Sequence, residues 1–170
     1  MSVKNTPLDI LTITEEMIED TIREAKTTPN GCFRICLHKS IEDPIQQMVI
    51  AFSKSTYFMP HRHPNKTESY HILAGRAIVV FFSDDGEIIR TFIMDKDDRK
   101  AVQIYRQNGC YWHTIVILSE YAVIHEIVNG PYVKVQNEYV RWAPQEDADA
   151  ASKEAFRQRI ITWHASGRAA

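Results

Sequence analysis

Nine short runs of residues that favour β-strands fill the middle of this sequence, and no helical pattern separates them. The runs are rich in Val, Ile, Tyr, Phe and Thr, and Pro, Gly, Asn or Asp residues lie between them. They are CFRICLH, QQMVIAF, TYFMPH, ESYHILA, AIVVFFS, IIRTFIM, AVQIY, WHTIVIL and AVIHEIV. A parallel α/β sheet needs helices between its strands. The pattern therefore predicts an all-β sandwich or small barrel.

A helical pattern flanks the β-rich segment on each side. Within residues 12–26, Glu15 and Glu16 lie in the first turn of a predicted helix, and apolar residues recur at helical spacing. Pro29 then prevents the helix from continuing. Between residues 148 and 163, apolar side chains recur at intervals of three to five residues. We expect one domain in three parts: an N-terminal helix and turn packed on the barrel over residues 1–30, the barrel over residues 31–140, and a C-terminal helical extension over residues 141–170.

Composition and charge exclude several classes of partner. The chain has 170 residues and a formal net charge of -2, so it lacks the basic excess of a nucleic-acid binder or of a protein bound to anionic membranes. It also lacks the roughly 18 consecutive apolar residues of a transmembrane helix, and its N-terminus does not resemble a signal peptide. The three cysteines are odd in number and lack Cys-x-x-Cys spacing. We expect a soluble cytoplasmic protein with free thiols.

Two histidines and a glutamate form the motif with the clearest chemistry. His61 and His63 are two residues apart, so on a strand their imidazoles point into the same space. A turn through Pro64 and Asn65 would return the chain and bring Glu68 to that space from the next strand. Two nitrogen ligands and a carboxylate suit a divalent ion of Mn, Fe, Co, Ni or Zn, whereas calcium prefers oxygen ligands alone.

With the spacing of its glycine included, this motif resembles the first motif of the cupins. In that family two His and one Glu, followed after six residues by a Gly (here Gly75), combine with a His from a second motif to hold a metal. The second motif lies around residues 108–114, where the usual proline is missing and the glycine stands one place early. The resemblance implies that His113 is the fourth ligand. It also implies a mainly β cupin fold, a double-stranded β-helix or jelly-roll barrel, with short N-terminal and C-terminal helices.

Further motifs, which follow one order over about residues 32–160, narrow the resemblance. They are Arg34 to His38, Gln47-Met48, Tyr57, the run from Pro60 to Pro64, Lys66 with Glu68, Phe81, Gly86, Trp112-His113-Thr114, Glu126, Gly130-Pro131-Tyr132, and Trp142-Ala143-Pro144 before Glu146. Together they resemble the WbuC family of cupin-fold metalloproteins, which are associated with O-antigen and other surface-polysaccharide gene clusters. The resemblance implies a metal-binding protein of lipopolysaccharide or related polysaccharide biosynthesis.

A metal held by three His and one Glu in an octahedral shell keeps two adjacent positions for other ligands. Such an ion can polarise a carbonyl as a Lewis acid, and a nearby base then permits isomerisation or epimerisation of a sugar. The resemblance favours Glu126 as the base, and the alternative for this residue is a half-buried partner of Arg34 or Arg62. We expect Glu126 and Tyr70 to be the catalytic groups. Strand alternation places Tyr70 on the face of Glu68 and His71 on the opposite face, and it prevents His125 and Glu126 from sharing a face.

Several other side chains near the motifs are candidates for binding a substrate. Arg34 and Lys66 would bind a phosphate or carboxylate, and the alternative for each is an ordinary solvated side chain. The remaining candidates are His38, Tyr57 and Tyr132. Trp112 would either stack on a sugar ring or belong to the barrel core.

The sequence leaves the reaction open between three classes. The first is a metal-dependent isomerase or epimerase acting on a carbohydrate or nucleotide-sugar intermediate. The second is an Fe(II) dioxygenase acting on a small organic substrate, and the third is a non-catalytic sugar-binding or regulatory module. In each case the partner is a small molecule rather than a nucleic acid or a membrane. A homodimer formed through an edge strand or a flanking helix is also expected.

Overall fold

The computed structural model of the protein describes residues 2–5, 10–133 and 137–167. The three predicted segments also include residue 1, residues 6–9, residues 134–136 and residues 168–170, which lie outside the described residues. The strands are β1 (Ser2–Asn5), β2 (Cys32–Cys36), β3 (Ile45–Ser53), β4 (His61–Arg62), β5 (Glu68–Ala74), β6 (Arg76–Phe82), β7 (Ile88–Asp95), β8 (Ile104–Gln107), β9 (Trp112–Ile117), β10 (Tyr121–Asn129) and β11 (Glu138–Tyr139). The helices are α1 (Glu15–Thr27) and α2 (Ala150–Ala165).

The strands form two sheets that face each other. One sheet has the order β1-β2-β3-β10-β5-β8, and the other has the order β11-β4-β9-β6-β7. The parallel pairing of β1 with β2 is the exception among otherwise antiparallel ladders between the described strands. Strands that are neighbours along the chain, such as β5 and β6, can lie in different sheets. The predicted mainly β barrel is confirmed.

Alternating apolar side chains from both sheets fill the barrel. Ile50, Ile72 and Ile124 from the first sheet meet Val79 and Ile117 from the second, and each is at most 1% exposed. Burial of one such side chain contributes about 1.5–3 kcal/mol to folding. This apolar core holds the strands in register, and the polar residues of the site continue the same inward-facing rows toward one end of the barrel.

Helix α1 covers most of the segment predicted to be helical and packs on the outer face of the first sheet. Thr14 caps its N-terminus, since its hydroxyl accepts a hydrogen bond of 3.2 Å from the backbone N–H of Met17. On its buried side, Ile18 and Ala25 lie in one cluster with apolar residues of the outer sheet face such as Val49. The outward residues of β2 and β3 are thereby covered, and their inward residues remain available to the barrel cavity.

Helix α2 packs on the outer face of the second sheet, in the arrangement expected for the C-terminal extension. Its N-terminus is capped by Asp149, whose carboxylate accepts a hydrogen bond of 2.7 Å from the backbone of Ser152. Phe156 and Ile160 are buried and belong to the same cluster as Phe82 of the sheet. The cluster also includes Trp142 and Trp163, so these two rings join the helix to the barrel.

Three details of the strands differ from the sequence expectations. The run TYFMPH contributes only its last residue, His61, to the two-residue strand β4, because Thr56 to Pro60 run outside the sheets. Strands β1 and β11 were not predicted, and at four and two residues they are too short to show a period.

Within the described residues, neither helix is long and apolar enough to cross a membrane.

Candidate metal centre

Three histidines converge at one end of the barrel. His61 on β4 lies directly opposite His113 on β9, and His63 follows two residues later on the same side. One ring nitrogen from each of the three lies within 4.8 Å of the other two. The side-chain alternation that was predicted for the His-x-His motif therefore does bring the two imidazoles together, and the strand pairing adds the third.

Each of the three rings is oriented by a hydrogen bond at Nδ1. The partners are the Met59 carbonyl for His61 at 3.0 Å and the Tyr111 carbonyl for His113 at 2.9 Å. For His63 the partner is the side-chain oxygen of Asn137, at 2.9 Å. These oxygens accept, so each Nδ1 donates, and Nε2 of each ring is the atom left to bind a metal ion. Rings held in this way are typical of metal-binding histidines, whose second nitrogen is fixed by an outer acceptor.

Glu68 lies beside the histidines and is almost fully buried, at 1% exposed. Its Oε2 is 3.1 Å from Nε2 of His113, and its Oε1 is 4.0 Å from Nε2 of His63. Gln107 donates a hydrogen bond of 2.6 Å from Nε2 to the same Oε2 of Glu68. The turn through Asn65, which has a φ of 64°, brings the chain back to place this carboxylate.

The charges of the cluster are coupled. Burial, together with the smaller effect of the neighbouring imidazoles, lowers the pKa of His61 to about 4. Burial also lowers the pKa of His63. For His113, burial opposes protonation, but the hydrogen bond and charge of Glu68 outweigh it and raise the pKa. The pKa of Glu68 is lowered, because the interactions with His113 exceed the effect of burial. Without a cation, a proton on His113 therefore balances the carboxylate.

A second carboxyl group and a phenol adjoin Glu68. Glu126 lies across from Tyr70 on the neighbouring strands β10 and β5, and both hydrogen-bond to Glu68. Burial and the charge of Glu68 raise the pKa of Glu126 to about 8. The same two causes raise the pKa of Tyr70 well above its usual value. His71 and His125 point to the opposite face, which is the orientation that strand alternation predicts.

The donor set fits a borderline divalent metal ion. Three imidazole nitrogens of fixed orientation and one buried carboxylate match Mn, Fe, Co, Ni or Zn better than calcium. A cation at this point would also neutralise Glu68, which in its absence depends on a proton at His113. His61, His63 and His113 can therefore hold a metal ion, and Glu68, the predicted carboxylate ligand, lies 3.1 Å from Nε2 of His113.

A cavity of about 600 Å³, here called the mouth cavity, opens above the histidines. Six of the predicted catalytic or substrate-binding residues line it: Arg34, His38, Lys66, Tyr70, Glu126 and Tyr132. Arg34 points inward because Phe33 and Ile35, its neighbours on β2, pack under α1. Its Nε is buried and has no hydrogen-bond partner among the described residues. The cavity thus combines the candidate metal ligands with a cation that lacks a fixed acceptor at Nε.

Tyr57 does not line the mouth cavity in the described part of the chain, so the predicted substrate contact is wrong. Its ring lies in the cluster under α2, 6.3 Å from the ring of Phe156, and its hydroxyl donates a hydrogen bond of 2.7 Å to the carbonyl of Pro144. The irregular segment before β4 turns this side chain outward. Trp112 also faces away from the cavity, since Arg62 stacks on its ring at 4.2 Å and Asp84 accepts from its indole N–H.

Three residues of the site were not recognised in the sequence. Gln107 contacts Glu68 and His113, Asn137 holds His63, and the hydroxyl of Tyr105 is buried near Glu68 and Glu126 without a partner among the described residues. None of them belongs to a motif. Tyr105 and Gln107 alternate inward on β8, so a strand pattern extended to residue 107 would have indicated their direction.

Comparison with known proteins gives a fold and a partial match to one family model. The sequence profile of a domain of unknown function, DUF6016, matches residues 13–94, which is slightly under half of the chain. A search of curated proteins found no match. Among solved structures, CapF in complex with 3-isopropenyl-tropolone superposes with a TM-score of 0.53 and 20% identity over 63% of this chain. This chain spans 31% of the length of that CapF chain.

Two further solved structures match most of their own length. Protein SO0799 from Shewanella oneidensis has a TM-score of 0.57 and 11% identity, and the match covers 72% of this chain and 83% of that one. Oxalate oxidase in complex with glycolate has a TM-score of 0.51 and 13% identity, with 79% and 74% covered. The protein has the cupin fold. At these identities the structural similarity extends to the fold alone, and the predicted jelly-roll barrel with flanking helices is confirmed.

Proposed function

We propose that the protein is a metal-dependent cupin of surface-polysaccharide biosynthesis that isomerises or epimerises a small carbohydrate or nucleotide-sugar intermediate in the cytoplasm. One observation carries the proposal: three histidines anchored at Nδ1 converge beside a cavity that is also lined by Glu126, Tyr70 and Arg34. Purely structural histidines would require neither the cavity nor the uniform anchoring at Nδ1.

His61, His63 and His113 would hold the metal, with Glu68 as the fourth ligand. When bound, the metal supplies Lewis-acid polarisation of a carbonyl or hydroxyl oxygen of the substrate. The protein contributes the orientation of the ligands through the acceptors at Nδ1 and keeps the surroundings of Glu68 closed to water. Orientation of this kind raises both metal affinity and selectivity.

Glu126 and Tyr70 are the groups that would exchange protons with a bound substrate. Both line the mouth cavity, and both hydrogen-bond to Glu68, so they lie next to the atoms that a metal-bound ligand would present. A carboxyl group in this position can take the proton from a carbon beside a carbonyl and return it to the neighbouring carbon or to the opposite face. That transfer is the essential step of isomerisation or epimerisation.

Arg34 and Lys66 would bind an anionic group of the substrate. The guanidinium of Arg34 has a buried Nε without a hydrogen-bond partner among the described residues, and a buried N–H that makes no hydrogen bond is costly. A phosphate or carboxylate in the cavity would remove this cost. Lys66 stands near the outer rim, 5.5 Å from the ring of Tyr132, and His38 completes the polar lining.

The substrate class rests on the resemblance to the WbuC family together with the chemistry of the cavity. Among the proteins that share the fold, CapF is described as a capsular polysaccharide assembling protein from Staphylococcus aureus, and oxalate oxidase was solved with the hydroxy-acid glycolate. These descriptions are consistent with a small oxygen-rich substrate that chelates a metal, and they motivate the compounds to be tested.

The test is transfer of solvent deuterium. Metal-loaded protein would be incubated in D₂O with hydroxy-aldehydes, hydroxy-ketones and nucleotide sugars, and exchange at carbon would be followed by proton NMR. We expect exchange for at least one compound with the wild type, and a loss of at least about 100-fold in Glu126→Gln with the metal retained. Lack of exchange throughout the panel would contradict the proposal.

Two alternatives give different results in the same samples. Oxygen uptake by the Fe(II)-loaded protein under air, without deuterium exchange, would identify a dioxygenase. Binding of a sugar without either reaction, and with unchanged affinity in a metal-free His113→Ala variant, would identify a non-catalytic sugar-binding module. Arg23→Gln, on the outer side of α1, serves as the control for unspecific effects of a lost charge.

A further inference from the structure

The barrel has an open seam between its two sheets. Strand β7 is one edge of the second sheet, and the next strand along the chain, β8, is one edge of the first. Among the described residues, these edges meet at a single isolated bridge between Met94 and Val102. From there the strands diverge toward Arg90 on β7 and Gln107 on β8, at the end of the barrel that holds the three histidines.

A second cavity fills this seam, and we call it the seam cavity. Its volume is about 400 Å³, which is within the usual range of small-molecule sites. It is lined by Phe81, Ile89, Arg90, Arg106, Gln107, Asn108, Gly109 and Tyr111. Of these residues, Gln107 contacts Glu68 and His113 through its side chain, and the carbonyl of Tyr111 accepts a hydrogen bond from Nδ1 of His113. None of the lining residues lines the mouth cavity. The two cavities therefore reach the same cluster from different sides.

The charged residues that line the seam cavity are both cationic. Arg90 and Arg106 approach it from the two opposing edge strands, and no Asp or Glu is among its lining residues. Within the described ranges neither guanidinium forms an ion pair, and the contact recorded for Arg90 is with the ring of Phe92 at 5.8 Å. Elsewhere on this surface, cations such as Arg62 and Arg157 do pair with carboxylates. Two unpaired guanidinium groups facing one cleft favour an anion as occupant.

The polar lining narrows the kind of anion. Two planar guanidinium forks from separate strands can each bind two oxygens, which a tetrahedral phosphate offers and a single carboxylate does not. The amide of Asn108 can hydrogen-bond to hydroxyl groups, and the half-exposed ring of Tyr111, 6.1 Å from that of Phe81, offers an apolar face. This combination suits a phosphate monoester of a sugar.

Gln107 links the seam cavity to the metal centre. The residue is 8% exposed. Its Nε2 donates a hydrogen bond to Glu68 and lies 3.2 Å from Nε2 of His113. Its Oε1 is buried without a partner among the described residues, so the amide is held on one side alone. Phe81 forms the adjoining wall, with its ring 6.2 Å from that of His113. A ligand that moves Gln107 would therefore alter both Glu68 and His113.

We propose that the seam cavity is a second ligand site, which binds a phosphate monoester through Arg90 and Arg106 and influences the metal centre through Gln107. Binding at this site is independent of the proposed catalytic function. The influence on the centre rests on the proposed metal site. The two parts are therefore tested separately.

Binding would be tested on metal-free, ¹⁵N-labelled protein by titration with glucose 1-phosphate and with inorganic phosphate. We expect saturable NMR shift changes at residues 106–111 and at Arg90, and at least about tenfold weaker binding in Arg90→Gln and in Arg106→Gln. The surface control Arg23→Gln should bind as the wild type does, and in Arg34→Gln, which changes the mouth cavity, the shift changes at residues 106–111 should persist. Absence of binding, or loss of binding in Arg34→Gln with Arg90→Gln unaffected, would overturn the proposal.

The link to the centre would be tested with Mn²⁺ as the probe, by electron paramagnetic resonance and by titration of its affinity. We expect glucose 1-phosphate to change the Mn²⁺ spectrum or affinity in the wild type and not in Gln107→Met, which should still bind the phosphate. A phosphate effect that persists in Gln107→Met would overturn the assigned link. If Mn²⁺ does not bind at all, the proposed metal function fails, while the NMR titration still decides whether the seam site exists.

Discussion

Two groups of histidines in this barrel differ in the residues that surround them. His61, His63 and His113 lie inside one end of the barrel, each with an acceptor at Nδ1 and with Glu68 alongside. His71 and His125 face each other across β5 and β10 on the outer surface of the first sheet. Nε2 of His125 is buried and has no partner among the described residues, and no carboxylate is recorded beside either ring.

The comparison shows what converts neighbouring imidazoles into a candidate metal site. Burial lowers the pKa of both outer histidines, as it does for His61 and His63, so a lowered pKa does not distinguish the groups. The distinguishing features are fixed Nδ1 atoms, a third ring and an anionic oxygen within reach. Second-sphere acceptors of this kind are the usual companions of metal-binding histidines.

The largest difference is expected from removing one histidine of each group. His113→Ala should reduce the affinity for a divalent metal by more than about 100-fold, since loss of a ligand exceeds the effect of losing an outer acceptor. The matched variant His71→Ala should change the affinity by less than about twofold. Isothermal titration with Mn²⁺ or Zn²⁺ measures both, and equal effects in the two variants would contradict the distinction.

A smaller effect is expected from removing an acceptor at Nδ1. Asn137→Ala leaves all proposed ligands in place but releases the ring of His63. We expect the metal affinity to fall by about tenfold. Gln158→Ala, whose side chain contacts only Glu154 among the described residues, is the control. If Asn137→Ala behaves like the control, then the anchoring of the rings does not contribute to binding.

A substitution of Tyr57 tests whether this residue serves the packing under α2 and not metal binding. Tyr57→Phe removes the hydrogen bond to the Pro144 carbonyl in the cluster under α2, outside the mouth cavity. We expect a loss of about 1 kcal/mol in the free energy of unfolding, measured with urea, and an unchanged metal affinity. A loss of metal affinity in Tyr57→Phe would indicate that Tyr57 contributes to the metal site.

The smallest effect is expected on the outer sheet face. Because Nε2 of His125 has no partner among the described residues, His125→Val removes a buried polar atom and introduces a residue that favours strands. The free energy of unfolding should stay the same or increase by up to about 1 kcal/mol, with no change in metal binding. A destabilisation beyond about 1 kcal/mol would mean that this histidine has a structural partner.

The sequence was sufficient for the barrel and for most of the centre because both follow from local periodicity. Strand alternation directs His61 and His63 to one space and separates Glu126 from His125. The position of His113 required a second motif, because only strand pairing brings β9 beside β4. Spacing within one strand is readable from the sequence, whereas pairing between distant strands is not.

The residues that were missed or misplaced depend on such distant contacts. Gln107 and Asn137 belong to no motif and reach the centre from β8 and from the segment before β11. Tyr57 lies four residues before His61 in the sequence, but the irregular chain between them turns its ring outward. Proximity along the chain is therefore a poor guide where the chain leaves its strand.

The most direct test of the central claim is the position of the metal in crystals of the metal-loaded protein. An anomalous-difference map recorded at the absorption edge of the bound metal would show it. We expect one site per chain, within about 2.0–2.2 Å of Nε2 of His61, His63 and His113. A peak at His71 and His125, coordination through Nδ1, or a protein that takes up no divalent metal would contradict the account.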